Sequence, residues 1–205
     1  MRIVKADLEG LVFAADMVAR GGVICYPTDT VYGLGCDPLN PAAVEKAIAA
    51  KGRGTKAMPV LVKSTYDAER LAYFSESAKR LADRYWPGPL TIVLPAKDPV
   101  PVVLVPQRTV GVRSPRHVIC QQLLGLCSGY LVGTSANLTG KSPAVSVEEI
   151  VNQLGDRVDL ILDGGRIPTG VPSTVVDLTK RRLLIVREGP IARAEILRCL
   201  KRKSG

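Results

Sequence analysis

Apolar and polar residues alternate along the chain in patterns that predict short strands and helices following one another. Helical spacing of apolar residues begins after capping residues such as Asp7, the Asn40-Pro41 pair and Ser146 of a Ser-x-x-Glu capping box. Helices are predicted at 8–20, 41–50, 75–86, 116–126, 147–154 and 191–202. Strands are predicted at 23–25, 59–62, 90–94, 110–113, 130–134, 158–162, 174–178 and 183–187.

The spacing of these strands also indicates how they pair. Several of them follow each other too closely for a helical crossover, so antiparallel pairs must lie beside parallel ones. Hydrophobic residues make up 46% of the 205-residue chain and aromatic residues only 4%, which predicts an aliphatic core typical of an α/β sheet. We therefore predict one domain over residues 1–205, with a mixed sheet surrounded by helices.

The stretch YPTDTVYGLG, residues 26–35, departs from this regular pattern. It follows the apolar run Val23-Ile24-Cys25 and is longer than a tight turn requires. Its threonine hydroxyls have no evident structural task, and the stretch ends with two glycines. We interpret this loop as part of a binding site.

The cysteines, the single histidine and the N-terminus exclude several classes of protein. The five cysteines form no C-x-x-C pair, and one histidine cannot complete a zinc site, so reduced and buried thiols are predicted. The N-terminal MRIVKADLEG lacks the apolar stretch of a signal peptide, and no run reaches membrane-spanning length. These features favour a soluble, cytoplasmic protein without membrane contact.

The net charge of +9 is concentrated near the end of the chain, where Lys180 to Lys203 include nine Lys or Arg and two Glu. One interpretation is a solvated basic helix, IARAEILRCLKRK. The residues expected to pack on the body are Ile191, Ala194, Ile196, Leu197 and Leu200. The other interpretation is an electrostatic surface for a polyanion such as RNA, which predicts weak, salt-sensitive tRNA binding.

Two catalytic motifs are incomplete in this chain. SANLTGKS, residues 135–142, has Ser135 where a P-loop needs glycine, and Pro143 disfavours helical geometry at Ser142. GTSAN lacks the second glycine of a nucleophile elbow, and the possible base, His117, stands at a predicted helix start. We therefore exclude a Walker-type NTPase and a serine hydrolase, and interpret Ser135 as a hydrogen-bond donor.

Cationic residues at the ends of strands and of one helix indicate an anionic ligand. Arg113 ends the apolar VGV strand, Arg187 ends LLIV, and Lys51-Gly52-Arg53 stands at a helix end. Arginine binds carboxylate or phosphate through a planar fork, while lysine supplies a point charge. Together they fit a nucleotide triphosphate and a carboxylate-bearing partner, with catalysis by positioning and charge neutralisation, as in nucleotidyl transfer.

The chain resembles the YrdC/TsaC family of threonylcarbamoyl-AMP synthases from about residue 20 to residue 190. The motifs that follow one another as in this family are PTDTVYGLG, KGR, WPGPLTIVL, VGVRSP, TSANLTG and STVVDL. The resemblance implies a YrdC-like fold, in which a twisted and largely open sheet surrounds a deep, positively charged cavity. It also implies condensation of L-threonine, bicarbonate and ATP to threonylcarbamoyl-AMP and pyrophosphate, with magnesium accompanying ATP. The product would serve a tRNA-modifying transferase complex, which acts next to the anticodon of tRNAs that read codons beginning with adenosine.

The resemblance implies roles for individual residues as well. The family's catalytic K-x-R and S-x-N residues fall on Lys51, Arg53, Ser135 and Asn137. Recognition of L-threonine falls on Thr30, Arg113, Gly133 and Ser173. ATP contacts fall on Lys51, Arg53, Thr109, Ser135, Asn137, Ser142, Pro143 and Arg187.

The chain departs from the family pattern at two positions, since Ala57 and Val62 stand where many relatives carry Asn and His. It resembles the short form of the family, without a C-terminal lid domain. The alternative function is an RNA-binding protein whose cavity holds a nucleotide or phosphate without turnover. The basic tail favours this alternative, whereas the scarcity of aromatic residues for base stacking argues against it.

Overall fold

The computed structural model describes residues 1–52, 58–98, 100, 104–105, 107–180 and 182–201. The helices are α1 (Leu8–Ala19), α2 (Pro41–Ala50), α3 (Thr65–Leu71), α4 (Glu76–Tyr85), α5 (Val118–Leu126), α6 (Val147–Leu154) and α7 (Arg193–Lys201). The strands are β1 (Arg2–Lys5), β2 (Ile24–Tyr26), β3 (Gly33–Gly35), β4 (Val60–Val62), β5 (Leu90–Pro95), β6 (Thr109–Arg113), β7 (Tyr130–Val132), β8 (Thr134–Ser135), β9 (Leu160–Asp163), β10 (Thr174–Asp177) and β11 (Leu184–Arg187). The predicted α/β class is confirmed.

Side-chain caps explain where several helices begin. Asp7 caps α1 and Asn40 caps α2, each accepting a hydrogen bond from the backbone N–H three residues further on. Ser146 caps α6 in the same way. His117 caps α5, because its Nδ1 accepts from the backbone N–H of Cys120 at 3.4 Å. The histidine considered as a possible catalytic base thus has a local structural role.

The strands form two mixed sheets rather than the one mixed sheet that the sequence predicts. In the five-stranded sheet, of order β1-β9-β2-β3-β8, β9 is parallel to both neighbours and β3 is antiparallel to both of its own. The six-stranded sheet has the order β11-β10-β5-β6-β4-β7 and also contains both kinds of pair. Because strand pairing joins segments that are distant along the chain, local apolar patterns do not indicate this division.

The chain passes from one sheet to the other at Gly133. Val132 ends β7 in the six-stranded sheet, and Thr134 begins β8 in the five-stranded sheet. The backbone N–H of Gly133 donates to the Pro59 carbonyl at 2.7 Å, which draws the crossing close to β4. A Cβ at residue 133 would overlap Leu61 Cγ. Glycine is therefore required where the two sheets meet.

Two glycines of β3, Gly33 and Gly35, allow the Tyr26 ring to lie against that strand. A Cβ at either position would stand 2.9 Å from ring atoms of Tyr26. The Tyr26 hydroxyl donates to the Val132 carbonyl at 2.6 Å, and a Cβ at residue 35 would overlap the same oxygen. The glycines that end the YPTDTVYGLG stretch therefore serve close packing of β2, β3 and β7.

The core is aliphatic and lies on both faces of the five-stranded sheet. Cys25 and Ile161 belong to one buried cluster, whereas Ile24 and Leu160 belong to a second cluster beneath α1 and α5. All five cysteines fall in the described part of the chain, and all are free thiols. Burial raises the pKa of the Cys36 thiol to about 12, so it stays protonated at neutral pH. Across the described ranges, no helix is long and apolar enough to cross a membrane.

Helix α7 packs on the body through Ile196, which is fully buried, with Leu200 partly buried against the same core. Ala194 was expected on this packing face but is exposed. Residues two positions apart do not share a face of a helix, so Ala194 cannot point the same way as Ile196. The basic residues Arg193, Arg198 and Lys201 are exposed, as expected.

Replacing Gly35 by alanine should lower the free energy of unfolding by about 1–3 kcal/mol, because the added methyl overlaps the Val132 carbonyl and must displace a strand. Gly125→Ala in α5 is the matched control, since only the flexible end of Lys63 approaches there, at 3.2 Å. This control should be neutral or stabilising, because alanine favours helix. Urea denaturation measures both variants, and equal effects would contradict the close approach at β3.

Candidate functional site

The loop between β2 and β3 is organised by the hydroxyl of Thr28, which is buried. Thr28 Oγ1 donates to the Val31 carbonyl at 2.6 Å and accepts from the backbone N–H of Thr30 at 3.2 Å. The sequence indicated no structural task for these hydroxyls, so this role is a correction. In the 3.1 Å contact between the two threonine hydroxyls, Thr30 is the donor, because the single Thr28 proton is already used.

Arg113, at the end of β6, lies almost fully buried beneath this loop. Its Nε donates to the Gly88 carbonyl at 3.0 Å, its Nη1 donates to Thr30 Oγ1 at 3.0 Å, and its Nη2 binds the Asp29 carboxylate. Burial lowers the pKa of Arg113, and the neighbouring Asp29 charge opposes that shift. The carboxylate partner was not foreseen from the sequence, although Asp29 is the only charged residue of the loop motif.

A second arginine is held on the neighbouring strands. Arg187, at the end of β11, donates from Nε to the Ser173 carbonyl at 2.9 Å and from Nη2 to Ser173 Oγ at 3.1 Å. Ser173 Oγ also lies 2.8 Å from the hydroxyl of Thr91 on β5. Burial and then the positive charge of Arg113 lower the pKa of Arg187. Two guanidinium groups thus act on one small region, which favours an anionic ligand there.

These side chains surround a cavity with about 90 Å³ of space open to water. The residues predicted from the sequence that line it are Thr30, Arg113, Gly133, Ser135, Ser173 and Arg187. Thr91 lines it as well and was missed, although its place inside the WPGPLTIVL motif is a signal that could have identified it. The cavity therefore takes residues from both sheets.

Lys51 holds the loop that follows β8. Its side chain is buried, and its Nζ donates to the Ser135 carbonyl at 2.5 Å and to the Asn137 carbonyl at 3.1 Å. The Asn137 amide donates to the carbonyls of Leu138 and Lys141, at 2.7 and 2.9 Å. Among the described residues, no hydrogen-bond partner faces the buried Asn137 Oδ1. The structure thus brings Lys51, Ser135 and Asn137 together, with the ammonium group directed at loop carbonyls.

Other residues predicted from the resemblance lie further away. Thr109 begins β6 and pairs with Pro95, at the opposite end of the strand from Arg113. Ser142 is exposed and Pro143 partly exposed in the loop before α6. Val62 is fully buried in β4. Arg53 and Ala57 lie outside the described residues.

The fold and this cavity define a mixed α/β protein with an arginine-lined site between two sheets. The family model for Sua5, YciO and YrdC proteins, described as telomere recombination, matches residues 16–189. The chain belongs to this Sua5/YciO/YrdC family.

Individual relatives agree with this family. A threonylcarbamoyl-AMP synthase of Pyrococcus abyssi is 38% identical over 186 residues, which are 89% of this chain and 55% of that protein. A threonylcarbamoyl-AMP synthase of Idiomarina loihiensis is 36% identical over 170 residues, 80% of this chain and 91% of that protein. The crystal structure of P. abyssi Sua5 complexed with L-threonine matches with a TM-score of 0.92 at 35% identity, covering 98% of this chain and 60% of that one. The chain thus spans little more than half the length of its P. abyssi relative.

Asp29→Asn should lower the free energy of unfolding by about 3 kcal/mol, because it leaves the buried Arg113 charge uncompensated. The matched control is Asp16→Asn, which breaks the Asp16–Arg20 pair, whose side chains are 52% and 76% exposed. An exposed pair of this kind contributes about 0–1 kcal/mol. Denaturant titration of both variants gives the comparison. A loss at Asp29 no larger than the loss at Asp16 would contradict the role assigned to the buried pair.

Proposed function

We propose that this chain is an L-threonylcarbamoyladenylate synthase, which condenses L-threonine, bicarbonate and ATP to threonylcarbamoyl-AMP and pyrophosphate. The observation that carries the proposal is the cavity around Thr30, Arg113 and Ser173, where two guanidinium groups and several hydroxyls converge. The names of the P. abyssi and I. loihiensis relatives, and the L-threonine bound in P. abyssi Sua5, support it.

In this proposal Arg113 binds the carboxylate of L-threonine. Its three hydrogen bonds to protein groups leave further N–H donors of the guanidinium for a ligand. Thr30 supplies a hydroxyl whose proton can turn from Thr28 to the ligand. Ser173 adds a third hydroxyl on the opposite wall. These groups are held before a ligand arrives, so little reorganisation is needed on binding.

The proposed product determines which bonds form. The amine of L-threonine attacks bicarbonate to give a carbamate and water, and a carbamate oxygen then attacks the α-phosphorus of ATP and releases pyrophosphate. This makes the enzyme a nucleotidyltransferase. Positioning and charge neutralisation supply the catalysis, with Lys51 and Arg187 as cations beside the phosphates. Arg53, Thr109, Asn137, Ser142 and Pro143 complete the ATP site that the family resemblance implies.

Magnesium enters the reaction as the ATP complex. The residues present do not fit a resident magnesium site, because the Asp29 carboxylate is bound to Arg113. Within the part of the chain that the structure describes, no group of three His, Cys, Asp or Glu side chains could hold a metal ion. Magnesium is commonly bound through substrate phosphates and water rather than by an all-protein cage.

The test of this proposal is the reaction itself. Purified protein with ATP, magnesium, bicarbonate and L-threonine should release pyrophosphate, and mass analysis should identify threonylcarbamoyl-AMP. Omission of L-threonine should abolish pyrophosphate release. Release that is equal without L-threonine would contradict the proposal and indicate a general ATPase.

Arg113→Lys serves as the matched variant, because it keeps the charge but loses the planar fork that binds a carboxylate. It should weaken L-threonine binding more than ATP binding, as measured by calorimetry of each ligand. A folded variant that binds ATP and L-threonine without turnover in the wild type would instead favour the RNA-binding alternative. The proposed destination of the product is a transferase that modifies adenosine next to the anticodon of tRNAs reading codons that begin with adenosine.

We also propose that the basic end of the chain binds tRNA weakly. A groove of about 490 Å³ between α4 and α7 is lined by Arg84, Arg198 and Lys201, with one acidic residue, Glu195. Within the described ranges, none of these three cations forms an ion pair. Exposed cations without acidic partners attract phosphate and release its counterions on binding. The nearby Arg193 is exposed as well.

Lys201→Glu should weaken tRNA binding and reduce its dependence on salt, by roughly 0.7–0.9 in the slope of log K against log salt for each lost phosphate contact. Lys46→Glu, an exposed lysine on α2, makes the same change in net charge and is the control. Filter binding of tRNA at several salt concentrations compares them. Identical curves for the two variants would mean that α7 is only a solvated helix.

A further inference from the structure

Thr91 is buried beside the cavity, and the proposed reaction assigns it no role. It is the second residue of β5, is 4% exposed and lines the cavity wall. A Cβ at Gly111 would lie 3.3 Å from the Thr91 methyl, so this methyl packs over β6. The hydroxyl lies 2.8 Å from Ser173 Oγ. These two contacts hold the stiff, β-branched side chain in one orientation.

The other hydrogen bonds of this pair decide which hydroxyl donates. Ser173 Oγ accepts from Arg187 Nη2 at 3.1 Å, because a guanidinium group can only donate. For Thr91 Oγ1, the described residues offer no hydrogen-bond partner other than Ser173. If Ser173 donated, the Thr91 proton would be buried without an acceptor, which is unfavourable. Thr91 therefore donates, and Ser173 keeps its own proton for the cavity.

We infer that Thr91 is a positioning residue, which orients the Ser173 hydroxyl so that its proton faces a hydrogen-bond acceptor of the bound amino acid. The inference rests on the proposed function and adds to it. The ligand atom opposite Ser173 is an acceptor, the carboxylate or hydroxyl oxygen of L-threonine. An ammonium group, which has no lone pair, does not fit this position.

The same contact also determines where Arg187 lies. Arg187 is attached to Ser173 by two bonds, from Nε to the carbonyl at 2.9 Å and from Nη2 to Oγ at 3.1 Å. A shift of the Ser173 hydroxyl therefore weakens one of the two bonds that orient the guanidinium. Through this series of hydrogen bonds, Thr91 connects a hydroxyl on the amino-acid side of the cavity with a cation on its other side.

Thr91→Val removes the hydroxyl at nearly constant volume and should raise the KM for L-threonine about fivefold, with a smaller change in kcat. Thr91→Ser keeps the hydroxyl and should stay within about twofold of the wild type. Thr174→Val is the matched control, since its fully buried hydroxyl donates to the Ile191 carbonyl at 2.9 Å outside the cavity. This control should lower thermal stability and leave the KM for L-threonine unchanged.

A double-mutant cycle distinguishes positioning from a purely structural effect. If Thr91 acts through Ser173, Thr91→Val should have no further effect on L-threonine binding in a Ser173→Ala background. Additive effects, an unchanged KM in Thr91→Val, or a Thr91→Ser variant as weak as Thr91→Val would each overturn the inference. Thr91→Cys, with a weaker donor of similar size, replaces the valine variant if that variant does not fold.

Calorimetry of L-threonine binding separates this inference from the proposed function. Wild-type protein that neither binds L-threonine nor releases pyrophosphate in its presence overturns both proposals. An active wild type whose affinity for L-threonine survives Thr91→Val overturns only the role of Thr91.

Discussion

The burial of the Arg113 guanidinium determines how the two sheets meet at the cavity. Arg113 belongs to β6 of the six-stranded sheet, whereas Asp29 and Thr30 lie in a loop of the five-stranded sheet. A buried cation is unstable without hydrogen-bonding partners, so these groups and the Gly88 carbonyl must stay in place around it. The loop is thereby fixed across the gap between the sheets, and the cavity is formed before any ligand binds.

Much of the fold could be predicted from the sequence, because helix caps and apolar spacing act locally. Asp7, Asn40 and Ser146 cap the helices that were predicted after them. Strands β1 and β3 were not predicted. β1 is mostly exposed and β3 is only three residues with two glycines, so neither carries the apolar pattern of a buried strand. The division into two sheets was not predictable either, because it depends on pairings between distant segments.

The candidate site could be predicted in part. Arg113, Ser173 and Arg187 do line one cavity, as strand-end positions and the family resemblance implied. Local patterns could not reveal that Thr28 organises the loop, since its bonds are set by the backbone turn. They also could not show that Lys51 binds the carbonyls of Ser135 and Asn137. Such contacts depend on where a loop comes to rest after the sheets have formed.

The crossing at Gly133 has a consequence for how the molecule opens. Within six residues, Tyr130 to Ser135, one stretch of chain supplies an edge strand to each sheet. Neither sheet can release this stretch without pulling on the other, because the crossing residue is itself bonded to Pro59. Amide hydrogens on β7 and β8 therefore exchange with solvent through a shared opening event rather than two independent ones. The two sheets behave, in their slow fluctuations, as one cooperative unit.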